Sequence, residues 1–376
     1  MTRVVISGSG LWTPEHSISN EELVDCYNAF ADKFNAENAA AIEAGEVEAK
    51  PQSSAEFIQK ASGIKSRFVY TREGVLDIDR MCPIIPECGE DELSNQAEIA
   101  VYAAKKALAS ASLKPSDIDA VIVACAYTQR AYPAIAIEVQ QELGIKGVAY
   151  DMLGACSAAT FGLRNAHDMV KAGSAKRVMV INPELVTPQI NYRSRDSHFI
   201  FGDVAVATIV ESIDTVKTRI MYEVLSTASE TLFSSNIRSN FSYMSRANSV
   251  DPYGEDKLFH QEGRKVFKEL CPMVVEHISD HIGKHKMQPT DIKRWWLHQA
   301  NSNMNSFVAK KLLGRDPEMN EAPVILDTYA NTASAGSLIA FNLYHYDLES
   351  GDLGLLSSFG AGYSIASLLL KKIINE

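Results

Sequence analysis

The chain has 376 residues, 46% hydrophobic and 22% charged, the balance of a globular protein too long for one ordinary core. Its formal net charge of −11 disfavours nonspecific nucleic-acid binding and repels acidic partners unless a local basic patch receives them. No apolar run approaches the ~18 residues of a membrane span, and six cysteines without a C-x-x-C pair argue against a disulfide framework or a zinc site. With no signal-peptide h-region ahead of the first strand, a cytoplasmic protein with reduced thiols is expected.

In chain order, "RVVISGSG" (Arg3–Gly10) predicts a buried strand. The segment "DKFNAENAAAIEAGEVEAKP" (Asp32–Pro51), rich in Ala and Glu, predicts an exposed helix with a solvated face, and residues 72–93 predict a long loop. Helical spacing in "SNQAEIAVYAAKKALASA" (Ser94–Ala111) leads into the strand "AVIVACA" (Ala120–Ala126). The helix "AIEVQQELGIKG" and the strands "GVAYDML", "RVMVIN" and "VATIVES" follow, up to a break near Ser212–Thr218. The second half offers the strand "MYEVLSTASE", a long loop over Arg238–Asp256 and the helix "VFKELCPMVVEHISDHIGKH". Then come the strand "RWWLH", the helix "MNSFVAKKLLGRD" and the strands "PVILD", "LGLLSSFG" and "YSIASLLLKK".

Two stretches align without a gap. "LKPSDIDAVIVACAY" (Leu113–Tyr127) lies on "MQPTDIKRWWLHQAN" (Met287–Asn301) at an offset of 287 − 113 = 174, with Pro, Asp and Ile repeated. Each copy follows a helix and runs into a buried strand and another helix, the pattern of units around a largely parallel sheet. An α/β fold of two related halves is expected, at 1–215 and 216–376, with an insertion at about 32–51 in the first.

Chemistry-bearing residues fall at strand ends, the edge where open α/β sheets bind ligands. Cys156 sits among small residues in "DMLGACSAATFGL", as a turn that presents a nucleophile requires. His298 ends the strand "RWWLH", Asn331 lies in "DTYANTASAGS", and "SSFGAGYS" (Ser357–Ser364) is a turn able to aim N–H groups at an oxyanion. His277, His281 and His285 share a helix face but form no H-E-x-x-H, so an exposed face without metal is expected. "GSGLWTPEH" lacks a full dinucleotide fingerprint.

The order Cys, His, Asn admits two chemistries. A papain-like hydrolase fits the separation 298 − 156 = 142, but its C-G-[SA]-C-[WY] signature is missing and a duplicated α/β sheet is the wrong scaffold. The other is that of the thiolase-like condensing enzymes. Through "DMLGACSAAT", "WWLHQAN", "YANTASAGS" and "FGAGYS", with "SGIKSR" and "DIDAVIVACAYTQRAYPAIAIEVQQELG", the chain resembles a β-ketoacyl-ACP synthase III over nearly its whole length.

That resemblance implies a thiolase-like fold of two βαβαβαββ-type halves packed as αβαβα layers. It implies a decarboxylating Claisen condensation of an acyl-CoA primer with a malonyl thioester, that of the acyl carrier protein, by a homodimer needing no cofactor beyond the CoA thioester. Cys156 would attack the acyl-CoA, with thiolate character from the helix dipole, and the N–H groups of Cys156 and Ala361 would form the oxyanion hole. His298 and Asn331 would donate to the enolate. Arg195, Phe57 and Asn301 match CoA contacts, Tyr132 the aromatic that reaches the partner's acyl pocket, and Lys310 and Lys311 a carrier-docking pair. The departures are Asn303 and Ala61 in place of family arginines, "GDVAVA" for "GDGAGA", "YANT" for "YGNT" and Ala361 for the central glycine. They leave primer and acceptor open, including a relative of secondary metabolism using malonyl-CoA. A thiolase would show a second cysteine near the C-terminal glycine turn, and Cys271 is predicted on a helix instead.

Overall fold

The computed structural model describes residues 2–318 and 320–375. Among these, nine strands form one mixed sheet: β1 (Val4–Trp12), β2 (Ala120–Cys125), β3 (Val148–Leu153), β4 (Arg177–Glu184), β5 (Val204–Ser212), β6 (Ile220–Ser234), β7 (Ile292–Leu297), β8 (Leu353–Gly360) and β9 (Gly362–Ile374). Their order is β7–β8–β9–β6–β1–β5–β4–β2–β3. From β1 outward the pairings run antiparallel to β5, antiparallel to β4, parallel to β2 and parallel to β3. From β6 the other way they run antiparallel to β9, antiparallel to β8 and parallel to β7. The first three steps therefore occur in both runs, with β3 added at one edge, and the runs meet where Val5 and Ile6 pair with Glu223 and Tyr222.

Side chains alternate between the faces of a strand, and here both faces are buried, which explains the nearly unbroken apolar runs. The helices are α1 (Asn20–Glu37), α2 (Ala55–Ser62), α3 (Asn95–Ser110), α4 (Ile135–Leu143), α5 (Ala158–Ala172), α6 (Gly263–Gly283), α7 (Ser302–Leu313) and α8 (Gly336–Leu343). Ile122, Val180, Trp296 and Leu356 face a central layer containing Leu163 of α5 and Leu338 and Phe341 of α8. Val121 and Val123 point the other way, onto the alanine-rich face of α3 and onto α4. Trp295 and Leu297 likewise point outward onto α6 and α7. The result is helix, sheet, helix, sheet, helix. Within the central layer Trp296 and Phe341 meet edge to face at 5.0 Å, worth about 0.5–1.5 kcal/mol beyond their buried area.

The repeated Pro and Asp have a physical cause. Pro115–Asp117 and Pro289–Asp291 are both single 3₁₀ turns, 289 − 115 = 174 residues apart. In each, the aspartate accepts the N–H of the residue before the proline, at 2.8 Å from Lys114 and 2.7 Å from Gln288. Proline supplies the preset φ and aspartate closes the turn, so each buried strand enters at a fixed register.

A smaller layer on one side carries α1, α2 and the pair His16–Ser19 with Ser66–Val69. The buried Arg67 guanidinium ties it together, donating to the Ile18 carbonyl at 3.1 Å, Asn20 Oδ1 at 2.7 Å and the Phe199 carbonyl at 3.1 Å. Three oxygens replace water around this cation, as a buried charge requires. The 191–201 segment is held by the same contact.

Three expectations need correction. "PVILD" is not a strand: residues 323–325 are irregular and Leu326–Tyr329 is a helical turn. A side chain does the pairing instead, because Gln299 donates to the Pro323 carbonyl at 3.2 Å and accepts the Ile325 N–H at 3.0 Å. The 32–51 segment is helical only through the end of α1 and in Ala39–Glu43, and then turns back on itself. His277 and His281 are buried rather than exposed: both bond to Ser367 Oγ, at 3.0 and 2.7 Å, and His281 also reaches Ser226 Oγ at 2.8 Å. They pin α6 to β9 and β6.

Candidate active site

Cys156 lies in the 3₁₀ turn Ala155–Ser157 between β3 and α5. Ala155 before it has φ +45°, a conformation that L residues rarely hold. The turn from β8 to β9 comes so close that a Cβ built on Gly360 would lie 2.5 Å from Cys156 Cβ and 2.9 Å from its sulfur. Only glycine fits. The N–H groups of Ala361 and of Cys156 itself favour the charged form of the sulfur and oppose the effect of its burial. Ser157 Oγ clamps the two turns together, donating to the Ser364 carbonyl at 2.9 Å.

The thiol is not poised as a thiolate. Cys156 keeps partial surface access, but burial pushes its thiol up to about 11, with the Glu184 carboxyl adding to the rise and the Ala361 N–H opposing it. The expected activation by a helix dipole is overruled by desolvation.

His298 follows β7 directly and is 1% exposed. Its ring packs edge to face on Phe359, the residue before Gly360 in β8, 5.4 Å between centroids. Burial pulls its pKa down to about 4, so the imidazole is neutral at ordinary pH and carries one N–H. Nδ1 is buried without a partner among the described residues, so no protein contact fixes which ring nitrogen carries the proton.

Asn331 follows the turn Leu326–Tyr329 and is held by backbone on both sides. Its N–H donates to the Ile200 carbonyl at 3.1 Å and its carbonyl accepts the Gly202 N–H at 3.1 Å. Its Oδ1 accepts the Ala333 N–H at 2.9 Å, which orients the amide and leaves Nδ2 without a hydrogen bond among the described residues. The turn Ala333–Ala335 packs against the Ala155–Ser157 turn, so the loops bearing Asn331 and Cys156 touch. Two neighbours are strained. Ala333 has φ +47°, and Ala330 has φ 56° with ψ −159°, a region almost confined to glycine. This is the position where "YANT" departs from "YGNT".

Sequence reasoning missed two residues here. Glu184, wholly buried at the end of β4, accepts the Ser334 hydroxyl and N–H and the Ala126 N–H, joining the Asn331 loop to the end of β2. Burial raises its carboxyl to about 7. The available signal was an acid ending the apolar run "RVMVINPE". Gln299 was visible within "HQAN", but its part in pinning Pro323 and Ile325 was not.

The remaining predicted residues are distributed as follows. Arg195 rests on the Phe57 ring, its guanidinium carbon 3.8 Å from the centroid, so an adenine between them requires the guanidinium to swing away. Asn301 caps α7, accepting the Asn303 N–H at 2.8 Å and donating to the Ala61 carbonyl at 2.7 Å. Tyr132 is 85% exposed near the edge strand β3. Lys310 pairs with Asp316 at 3.0 Å, and Lys311 lies over the Phe307 ring at 5.7 Å.

Replacing Ala330 by glycine should relieve strain of about 1–3 kcal/mol while adding roughly 0.4–1 kcal/mol of unfolded-chain entropy. The net expectation is a gain of about 1 kcal/mol, visible as a higher Tm; an unchanged or lower Tm would show that the backbone there is relaxed. For Cys156, the raised thiol means that alkylation by iodoacetamide should climb about tenfold per pH unit from pH ~7 to ~10 without a plateau. Since its folded pKa lies above the ordinary value near 9, its contribution to stability is present below that value and is lost as pH rises through about 11. Saturation of the alkylation rate below pH ~9 would contradict the burial argument.

Comparison with known proteins converges on one family. Residues 150–229 match the family model described as 3-oxoacyl-[acyl-carrier-protein (ACP)] synthase III, and residues 282–372 match its C-terminal model. A beta-ketodecanoyl-[acyl-carrier-protein] synthase of Pseudomonas aeruginosa is 53% identical over 349 residues, covering 93% of this chain and all of that one. A beta-ketoacyl-[acyl-carrier-protein] synthase III of Allorhizobium ampelinum is 26% identical, with 99% of this chain and all of that one covered. Among solved structures, the 3-oxoacyl-[acyl-carrier-protein] synthase III of Aquifex aeolicus superposes with a TM-score of 0.76 at 24% identity, over 98% of this chain and 99% of that one, and supports the fold. The duplicated sheet, the turn that buries a cysteine under two N–H groups and the extent of these matches agree: the chain belongs to the 3-oxoacyl-[acyl-carrier-protein] synthase III family, the decarboxylating condensing acyltransferases of fatty-acid synthesis.

Proposed function

We propose that Cys156 is acylated by an acyl-CoA and then elongated by malonyl-[acyl carrier protein], with His298 and Asn331 serving the second step. The observation that carries this is the close approach of the Gly360–Ala361 turn to the Cys156 sulfur, which sets the Cys156 and Ala361 N–H groups beside it. When the sulfur bonds to an acyl carbon, the carbonyl oxygen sits about one bond away and takes over those donors, which then stabilise the tetrahedral oxyanion.

The proton balance follows from the neutral groups. In the first step the Cys156 S–H bond breaks, sulfur bonds to the thioester carbon, and CoA leaves with the proton as its free thiol. In the second, the malonyl thioester loses CO₂ and its electron pair becomes an enolate. The His298 imidazole N–H and Asn331 Nδ2 can both donate to that oxygen, and neither has to remove a proton. The carbanion attacks the acyl-cysteine carbonyl and expels the sulfur as a thiolate, which takes a proton from water because burial favours the thiol. The imidazole pKa of about 4 keeps this donor neutral down to about pH 5.

The P. aeruginosa relative is named for a ten-carbon β-ketoacyl product. Condensation with malonyl adds two carbons, so the corresponding primer here is octanoyl. A second copy of the chain is the proposed partner for β3, an edge strand that exposes Val148, Leu153 and the nearby Tyr132; an uncovered apolar edge would be an aggregation hazard. Among the described residues no helix is long and apolar enough to cross a membrane, and six free cysteines fit the reducing cytoplasm we propose.

Intact-mass measurement with acetyl-, octanoyl- and palmitoyl-CoA tests this reading. The octanoyl adduct should dominate on the wild type and be missing from Cys156→Ala, and adding malonyl-[acyl carrier protein] should discharge it as a ten-carbon β-ketoacyl product. Gly360→Ala should lower the Tm and, while folded, load at least about a hundredfold more slowly, because its Cβ displaces the sulfur from its place. A wild type that makes product without any adduct would rule out the covalent route.

A further inference from the structure

We propose that the 32–51 segment is a coenzyme-reading element, in which Lys50, with Arg193 beside Arg195, holds the phosphates of the acyl-CoA primer. This rests on the acyl-CoA reading above and adds to it two residues and a role for the segment. The segment closes on itself through a reciprocal pair: Asn35 Oδ1 accepts the Lys50 N–H and Asn35 Nδ2 donates to the Lys50 carbonyl, both at 2.9 Å. Lys50 is therefore placed by the fold rather than left on a free loop. Its ammonium lies 4.8 Å from the Phe34 centroid and 5.6 Å from that of Phe30, and donates to the Arg193 carbonyl at 3.4 Å.

Arg193 lies over the other part of Phe30 at 5.5 Å and donates to the Asp79 carbonyl at 2.8 Å, while its Nε is buried without a partner. Arg195 completes the row on Phe57, with its Nε donating to the Gln52 carbonyl at 2.8 Å. Three cations thus lie along one ridge, on aromatic faces. Among the described residues none of them has a carboxylate within 4.0 Å, whereas nearby Lys33 is neutralised by Asp79 at 2.5 Å. In a chain of net charge −11, leaving three neighbouring cations unpaired has a cost that a polyanionic ligand removes.

The ring contacts hold the stems of these side chains in place, so less entropy is lost when a phosphate binds. Position fits as well. Arg195 precedes Ile200 by 200 − 195 = 5 residues, and the Ile200 carbonyl accepts the Asn331 N–H. The backbone between them spans at most roughly 18 Å, comparable with an extended pantetheine arm. Coenzyme A brings three phosphate groups to such a rim and a carrier-bound arm brings one, so we assign the rim to the coenzyme.

The test compares octanoyl-CoA, octanoyl-[acyl carrier protein] and phosphate-free octanoyl-pantetheine as donors to Cys156, read by the rate of adduct formation. Lys50→Met keeps an apolar stem over Phe30 and Phe34 and removes the charge; Lys50→Glu reverses it. With octanoyl-CoA, Lys50→Met should raise the half-saturating concentration about 3- to 10-fold at an unchanged limiting rate, and Lys50→Glu should raise it further. With octanoyl-pantetheine the shift should stay below about twofold. Equal shifts with all three donors, no shift with the CoA donor, or a larger shift with the carrier-bound donor would each overturn the assignment. Loading of the wild type by octanoyl-pantetheine separates the two claims: if it persists while Lys50 has no effect, the rim alone is wrong, and if no donor loads Cys156 both are.

Discussion

The structure depends on one close approach, that of Cys156 to the backbone of Gly360 and Ala361. No side chain fits between them, since even a methyl on Gly360 would lie inside the cysteine's van der Waals radius. The contact joins the end of β3 in one repeat to the hairpin of β8 and β9 in the other, so the halves cannot separate without dismantling it. It also fixes the electrostatics. A sulfur pressed against backbone stays protonated, with the Ala361 and Cys156 N–H groups opposing that rise.

Holding loops this tightly carries backbone strain, which is concentrated where the loops meet. Ala155, Ala330 and Ala333 all have positive φ, and each flanks a residue of the site or its loop. Such conformations survive only where the surroundings over-determine them. Here they do: Asn331 is bonded at its N–H, carbonyl and Oδ1, and Glu184 bonds Ser334 from the opposite strand end. Removing the Glu184 carboxyl would leave the Ser334 and Ala126 N–H groups buried without partners. It holds the Asn331 loop against the end of β2 through the Ser334 and Ala126 groups it bonds.

Much of this was legible in the sequence because it follows from period and from residue size. The apolar run "RWWLH" announced a buried strand, the Pro–Asp pairs marked the same turn twice, and small residues around Cys156 and Asn331 announced close backbone approach. What stayed hidden depends on contacts between distant segments. "PVILD" is apolar enough for a strand, yet Gln299, brought there by another strand, occupies its pairing groups. His277 and His281 repeat at helical spacing on what local pattern takes for a solvent face, and only the approach of Ser367 and Ser226 makes them core. Cys156 precedes a helix, which suggests a lowered pKa; desolvation, which no local pattern records, reverses the sign.

Cys156 and His298 are therefore both neutral at rest, a protonated thiol and a neutral imidazole. A site of that kind gains little from attracting its anionic substrates, and the acidic chain as a whole repels them. Attraction has to come from outside the reacting centre, where charge can be exposed without protonating the histidine or ionising the cysteine. The unpaired cations meet that requirement by lying on the outer ridge, linked to the centre through the 195–200 backbone rather than through space shared with the sulfur. Division of labour between a charged rim and an uncharged interior lets the enzyme hold a polyanion while its chemistry proceeds through neutral hydrogen-bond donors.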